Sequence, residues 1–237
     1  MLLGMRWIGM LGGTSWESTV VYYQAMNRGV KPTLGGEHSV RLLLASMDFE
    51  ELRACQKRED WEGVAAILGD AGERIAKAGA ECLVIGANTL HLVADQVQQR
   101  SGLPLIHIGD ATGEAIAAAG LRRVGLLGTS YTMEKPFLRE HLERRFGLHV
   151  LVPSPEDRAT VSGVIFSELI HGQIREESRE AYRDVISRLQ QAGAEGIILG
   201  CTEIPLLIRQ EDVPIPVFDT TVLHAEAAVR WSLTDSA

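Results

Sequence analysis

Short apolar runs alternate along the chain with longer stretches in which apolar positions recur every three or four residues. The short runs are Trp7–Leu11, Val40–Ala45, Cys82–Ile85, Leu105–His107, Val124–Leu127, His149–Val152, Gly196–Leu199 and Pro216–Phe218. Several are apolar throughout, as strands covered on both faces must be. The longer stretches read as amphipathic helices: Trp16–Arg28, Glu62–Lys77, Leu90–Arg100, Glu114–Ala119, Glu134–Phe146, Ser162–Gly172, Glu176–Gln191 and Val222–Leu233. This alternation predicts an α/β fold with parallel sheets joined by crossovers.

The pattern occurs twice. Ala78–His91 reads AGAECLVIGANTLH and Ala192–Pro205 reads AGAEGIILGCTEIP. Laid over each other, Gly86 falls on Gly200 and Ala87 on Cys201. Trp7–Ser15 resembles Arg123–Ser130, and Ile108–Thr112 resembles Val217–Thr221. The offsets are 116, 114 and 109 residues for Gly12/Gly128, Ala87/Cys201 and Asp110/Asp219. Three matches in one order indicate two homologous halves, residues 1–120 and 121–237, with the C-terminal helix free to pack back on the first. Ligands of open α/β sheets sit beyond the carboxyl ends of the strands. Two such halves are expected to enclose one cleft.

Composition narrows the function. The net charge of −8 and scattered Lys and Arg argue against nucleic acid. No apolar run approaches the roughly 20 residues of a membrane span. The N-terminal MLLGMRWIGMLGG reads as a first strand rather than a signal peptide. Cys55, Cys82 and Cys201 are an odd count without metal-ligand spacing, so neither a disulfide framework nor a metal site is expected. A cytoplasmic protein with free thiols fits best.

Cys201 follows a strand and precedes Thr202-Glu203-Ile204-Pro205, which reads as a helix start with Thr202 as cap. A thiol there is expected to have a lowered pKa and to serve as acid or base. Asn88 and Thr89 open the equivalent turn, where an amide, a hydroxyl and backbone N–H groups can hold a carboxylate. Gly12-Gly13-Thr14-Ser15-Trp16-Glu17 and Gly128-Thr129-Ser130-Tyr131-Thr132 are paired turns from strand to helix, and Thr14 and Glu17 have capping-box spacing. Neither is a Walker loop or a dinucleotide fingerprint. Cys82 lies at the wrong end of its strand and reads as core. His224, just after Asp219-Thr220-Thr221, is placed to line the cleft, whereas His91 reads as structural.

Taken together these residues resemble the aspartate/glutamate racemase family over nearly the whole chain. The motifs are GGTSWEST (Gly12–Thr19), SMDF (Ser46–Phe49), ANTLH (Ala87–His91), LGTSYTM (Leu127–Met133), GCTEIPLL (Gly200–Leu207) and VFDTTVLHAE (Val217–Glu226). The resemblance implies two Rossmann-like domains related by a pseudo-twofold axis and a racemase that needs no cofactor. Its substrate would be a small dicarboxylic amino acid, and homodimers are common in the family. Racemisation needs an acid/base on each side of Cα. Family members carry one cysteine before Asn-Thr and one before Thr-Glu; the second is Cys201, and the first position holds Ala87. Gly12, Thr14, Ser15, Trp16, Ser46, Asn88, Thr89, Thr129, Ser130, Thr132, Thr202, Glu203 and His224 are the expected substrate contacts. Two alternatives use one thiol or none: a decarboxylation of the malonate type, and a carboxylate-binding relic.

Overall fold

A computed structural model describes residues 4–234, so Met1–Leu3, read as the start of a first strand, and the last three residues lie outside it. The chain divides into two compact units. Unit 1 comprises Met1–Ile108 and His224–Ala237, and unit 2 comprises Gly109–Leu223. The division falls at 108/109 and 223/224, where the sequence pattern suggested 120/121.

The elements run β1 (Ile8–Gly12), α1 (Trp16–Leu34), β2 (Leu42–Ser46), α2 (Phe49–Lys57), α3 (Trp61–Lys77), β3 (Cys82–Ile85), α4 (Ala94–Ser101) and α5 (Ile108–Ala118). They continue with β4 (Arg123–Leu127), α6 (Ser130–Glu134), α7 (Pro136–Phe146), β5 (His149–Leu151), α8 (Pro155–Ser167) and α9 (Glu176–Gln191). The last are β6 (Gly196–Leu199), α10 (Ile204–Leu207), β7 (Val217–Asp219) and α11 (Thr220–Leu233). All strand pairs are parallel, in the orders β2-β1-β3 and β5-β4-β6-β7. The mixed α/β fold with two parallel sheets is therefore as the sequence pattern implied.

The duplicated stretch has a structural reason. Gly79 and Gly193 take φ of 99° and 98° at the ends of α3 and α9, a region that favours glycine. The glutamates two residues on do the same work in each unit. Glu81 accepts a hydrogen bond from the Trp7 N–H, and Glu195 accepts from the Arg122 and Arg123 N–H groups. These backbone bonds hold the Glu195 carboxyl below its usual pKa. Each glutamate thus joins the end of one helix to the start of the central strand.

Each unit is packed on its own core. In unit 2, α8 and α9 bring Val161, Ile165, Tyr182, Val185 and Leu189 onto Ile197 and Leu199 of β6. In unit 1, Leu68, Ile75, Leu83 and Ile85 form the cluster on one side of the sheet. Ala225, Ala228 and Val229 of α11 join Ile8, Met26 and Val30 in a second cluster there. Burial of these three small residues explains why the C-terminal helix belongs to unit 1. Cys55 is buried beside Leu52 on the inner face of α2.

Several elements differ from the pattern: the helix expected over Glu114–Ala119 runs Ile108–Ala118, and the one expected over Ser162–Gly172 runs Pro155–Ser167. The expected strand Leu105–His107 is a single bridge, Leu83 to Leu105, because Pro104 precedes it and α5 begins at Ile108. The expected helix from Leu90 begins instead as a 3₁₀ turn, Thr89–Val93. No helix among the described residues is long and apolar enough to cross a membrane.

Candidate functional site

The three parallel strands of unit 1 end together, and so do their turns. Gly86 N–H donates to the Leu11 carbonyl, and Met47 N–H donates to the Gly12 carbonyl. Ser46 lies opposite Gly12 in the β1/β2 register and is exposed. Gly13 has φ 76°, and a Cβ on it would stand 2.3 Å from the Met47 carbonyl oxygen, so only glycine fits. Thr14 is buried and its hydroxyl donates to the Gly86 carbonyl at 3.2 Å, as the Ser18 hydroxyl does at 3.4 Å. Thr14 therefore ties two turns together and is not the helix cap. The cap is Ser15, whose Oγ accepts from Ser18 N–H and whose φ of 112° is strained for a residue with a side chain. Trp16, the first residue of α1, is 67% exposed.

Ala87 is half-buried beside the unit 1 core, and Asn88 is buried. Asn88, a residue type that ordinarily caps a helix, makes no cap bond here: its backbone is already helical. Thr89 is half-buried and opens the 3₁₀ turn. His91 holds this turn from below. Its Nδ1 faces the Ala87 carbonyl at 2.9 Å and its Nε2 faces the Ile108 N–H at 3.2 Å. The carbonyl needs a donor and the amide an acceptor, which assigns the proton to Nδ1.

His224 is fully buried. Its Nε2 donates to the Ile106 carbonyl at 2.6 Å, and its Nδ1 accepts from the Tyr22 hydroxyl at 2.8 Å. Both ring nitrogens are engaged inside unit 1, so the expectation of a substrate contact gives way to a positioning role. Burial pushes its pKa down to about 4, with the neighbouring His107 adding to the effect. The fold thus favours neutral His224. Its contribution is complete above the unfolded-state value near 6.5 and is lost as pH falls toward about 4. Urea unfolding should show wild-type stability falling by about 3 kcal/mol across that window, with a flatter profile for His224→Gln. Equal slopes would contradict the burial argument.

In unit 2 the equivalent turns meet at the ends of β4 and β6. Leu127 is paired with Leu199, and Gly200 N–H donates to the Leu127 carbonyl at 2.7 Å. A Cβ at Gly128 would stand 2.9 Å from the Thr132 Cβ, and one at Gly200 would stand 2.8 Å from the Leu127 carbonyl oxygen. This close approach is what both glycines permit. Thr129 caps α6, its Oγ accepting from Thr132 N–H, and the two hydroxyl oxygens lie 3.3 Å apart. Ser130 N–H donates to Ser162 Oγ at 3.2 Å.

Cys201 is half-buried beyond β6. Its thiol donates to Glu203 Oε2 at 2.9 Å, and the Thr202 hydroxyl donates to the same oxygen at 2.7 Å. Thr202 is therefore no helix cap; Glu203 takes that position and makes no cap bond with its side chain. The expected lowering of the thiol pKa is reversed. Burial, and then the charge of Glu203, push Cys201 well above the usual thiol range. Helix α10 is only four residues long and offers little dipole against that charge. Cys82, by contrast, is fully buried at the start of β3, and burial pushes its thiol up to about 12.

The site residues thus gather into two sets, one per unit. Sequence reasoning missed the contact between thiol and carboxylate, although Cys201 and Glu203 are two residues apart. It also missed the pairing of His141 Nε2 with Asp110 Oδ1 at 2.7 Å, for which residues 31 apart on different helices gave no signal.

The frame is a duplicated parallel α/β fold in which a strand-end thiol lies against a carboxylate. The sequence matches the Asp/Glu/hydantoin racemase family over residues 11–228, and the chain belongs to that family. A candidate Asp/Glu racemase from Yersinia pestis is 46% identical with a TM-score of 0.93, over 97% of this chain and 100% of that one. An aspartate racemase homologue from Pyrococcus horikoshii OT3 is 38% identical with a TM-score of 0.85, over 96% and 99%. The glutamate racemase of Deinococcus radiodurans is 26% identical over 62% of this chain, and the match spans 50% of that enzyme's length.

Proposed function

We propose that the chain is a cofactor-independent amino-acid racemase acting on aspartate or glutamate, with Cys201 as one acid/base. The observation that carries this reading is the Cys201–Glu203 hydrogen bond, 2.9 Å long, at a strand end in a racemase-family chain. Glu203 gives the thiol proton a place to go. The thiolate then takes the proton from Cα: the C–H bond breaks, an S–H bond forms, and the electron pair stays on Cα, delocalised into the α-carboxylate. Return of a proton to the other face requires a second donor. Ala87, which stands where the family has its other cysteine, has no proton to give. Water or the Thr89 hydroxyl is proposed to supply it, giving up an O–H bond as the new C–H bond forms. The reading requires Ala87 and Cys201 to serve the same α-carbon.

A second reading, favoured by alanine at position 87, is a decarboxylation. Loss of carbon dioxide there generates the carbanion and one proton donor completes the reaction. Incubation with each enantiomer of aspartate and glutamate, followed by chiral chromatography, separates the two. Formation of the opposite enantiomer supports the racemase. Release of carbon dioxide from a disubstituted malonate, with all four amino acids unchanged, supports the decarboxylase.

A further inference from the structure

A cavity of about 320 Å³ opens in unit 2 between α6 and α8. Its lining includes Ser130, Glu134, Arg158, Ser162, Gly163 and Phe166. The volume is at the lower end of small-molecule sites. Gly163 confirms the open space, since a Cβ added there would meet nothing within 4 Å. Ser130 links the cavity to the site already described. It belongs to the turn after β4, which lies beside the Cys201 turn through the Leu127/Leu199 register.

Charge decides what the cavity suits. The two site turns of unit 2, Thr129–Thr132 and Cys201–Glu203, carry no cation and one carboxylate. A dicarboxylic amino acid brings two negative groups, and hydroxyls alone hold them weakly against Glu203. Arg158 is the one cation among the described residues lining the cavity. Its side chain is 23% exposed, and its Nε is buried with no hydrogen-bond partner among the described residues. The Glu134 carboxylate lies 3.8 Å from Nε, beyond hydrogen-bond reach. A guanidinium so placed presents a planar fork suited to a carboxylate. Ser162 Oγ accepts from Ser130 N–H and can donate its own proton to the same ligand.

From this arrangement we infer that Arg158 takes the side-chain carboxylate of the substrate and so selects acidic over neutral amino acids. The inference rests on the racemase reading and adds the residue that sets its specificity. Glu134 opposes it, holding part of the Arg158 charge when no ligand is present.

The test is titration of glutarate and of propionate, by calorimetry, into wild type, Arg158→Gln and Glu134→Gln. Glutarate binding should weaken by about tenfold to a hundredfold in Arg158→Gln, the range for a lost charged hydrogen-bond pair. It should tighten in Glu134→Gln, and propionate, with a single carboxylate, should shift in the same directions but by less. Opposite signs cannot come from a merely structural ion pair, whose loss would act the same way from either side. The pair is partly exposed, so both variants should fold, which circular dichroism checks. Undiminished glutarate affinity in folded Arg158→Gln would overturn the inference while leaving the racemase reading standing. Failure of wild type to bind any dicarboxylate would overturn both.

Discussion

Cys201→Ser is expected to lower any exchange of the substrate Cα proton by about 10²–10⁴-fold, the usual worth of a positioned acid/base. The fold should survive, because one sulfur becomes one oxygen at a half-buried position that already has the Glu203 carboxylate as acceptor. Its companion, Glu203→Gln, acts with a defined sign. The Glu203 charge helps to hold the Cys201 proton in place, so removing it should lower the thiol pKa. The limb of kcat/KM that rises with pH should then move to lower pH. The maximal rate should fall, since glutamine cannot take the proton. A pH–rate profile of the two enzymes checks this directly. A limb that moved to higher pH would mean that Glu203 does not face the reacting thiol in the working enzyme.

Ala87→Cys is expected to raise racemisation of aspartate or glutamate on the order of 10²-fold if the new thiol is well placed. The turn is prepared for it. Asn88 and Thr89 follow, the 3₁₀ turn begins at Thr89, and the His91 ring holds the Ala87 carbonyl. Position 87 is half-buried, so one added sulfur need not displace the core. The double variant Ala87→Cys with Cys201→Ala should lose the gain, because one face of Cα is again without a thiol. Chiral chromatography of the four enantiomers reads both variants. A folded Ala87→Cys enzyme with no increase on any of them would favour the single-thiol decarboxylase.

Much of the frame was legible because its signals are local and occur twice. Wholly apolar runs mark strands buried on both faces, and the repeated Ala-Gly-Ala-Glu marks a glycine at positive φ followed by a glutamate that anchors the central strand. The chemistry of the turns was less legible. Thr14, Asn88 and Thr202 all looked like helix caps, and none of them is one. Cap residues are read from the assumption that a helix follows at once. Here a strained serine, a 3₁₀ turn and a four-residue helix intervene. The thiol pKa was misjudged because burial and then the Glu203 charge raise it, and a four-residue helix supplies little dipole against them. His224 and Tyr22 lie 202 residues apart, and their contact exists only because α11 packs on unit 1.

The most direct measurement is the fate of the Cα proton in deuterated water, followed by NMR for each enantiomer of aspartate and glutamate separately. One thiol on one face makes the two directions unequal. For one enantiomer, Cα deuterium should therefore enter with retention of configuration faster than the opposite enantiomer forms, and Cys201→Ser should abolish that entry. Equal rates of exchange and inversion from both enantiomers would contradict a one-thiol site, and absence of exchange from all four would contradict Cα proton transfer altogether.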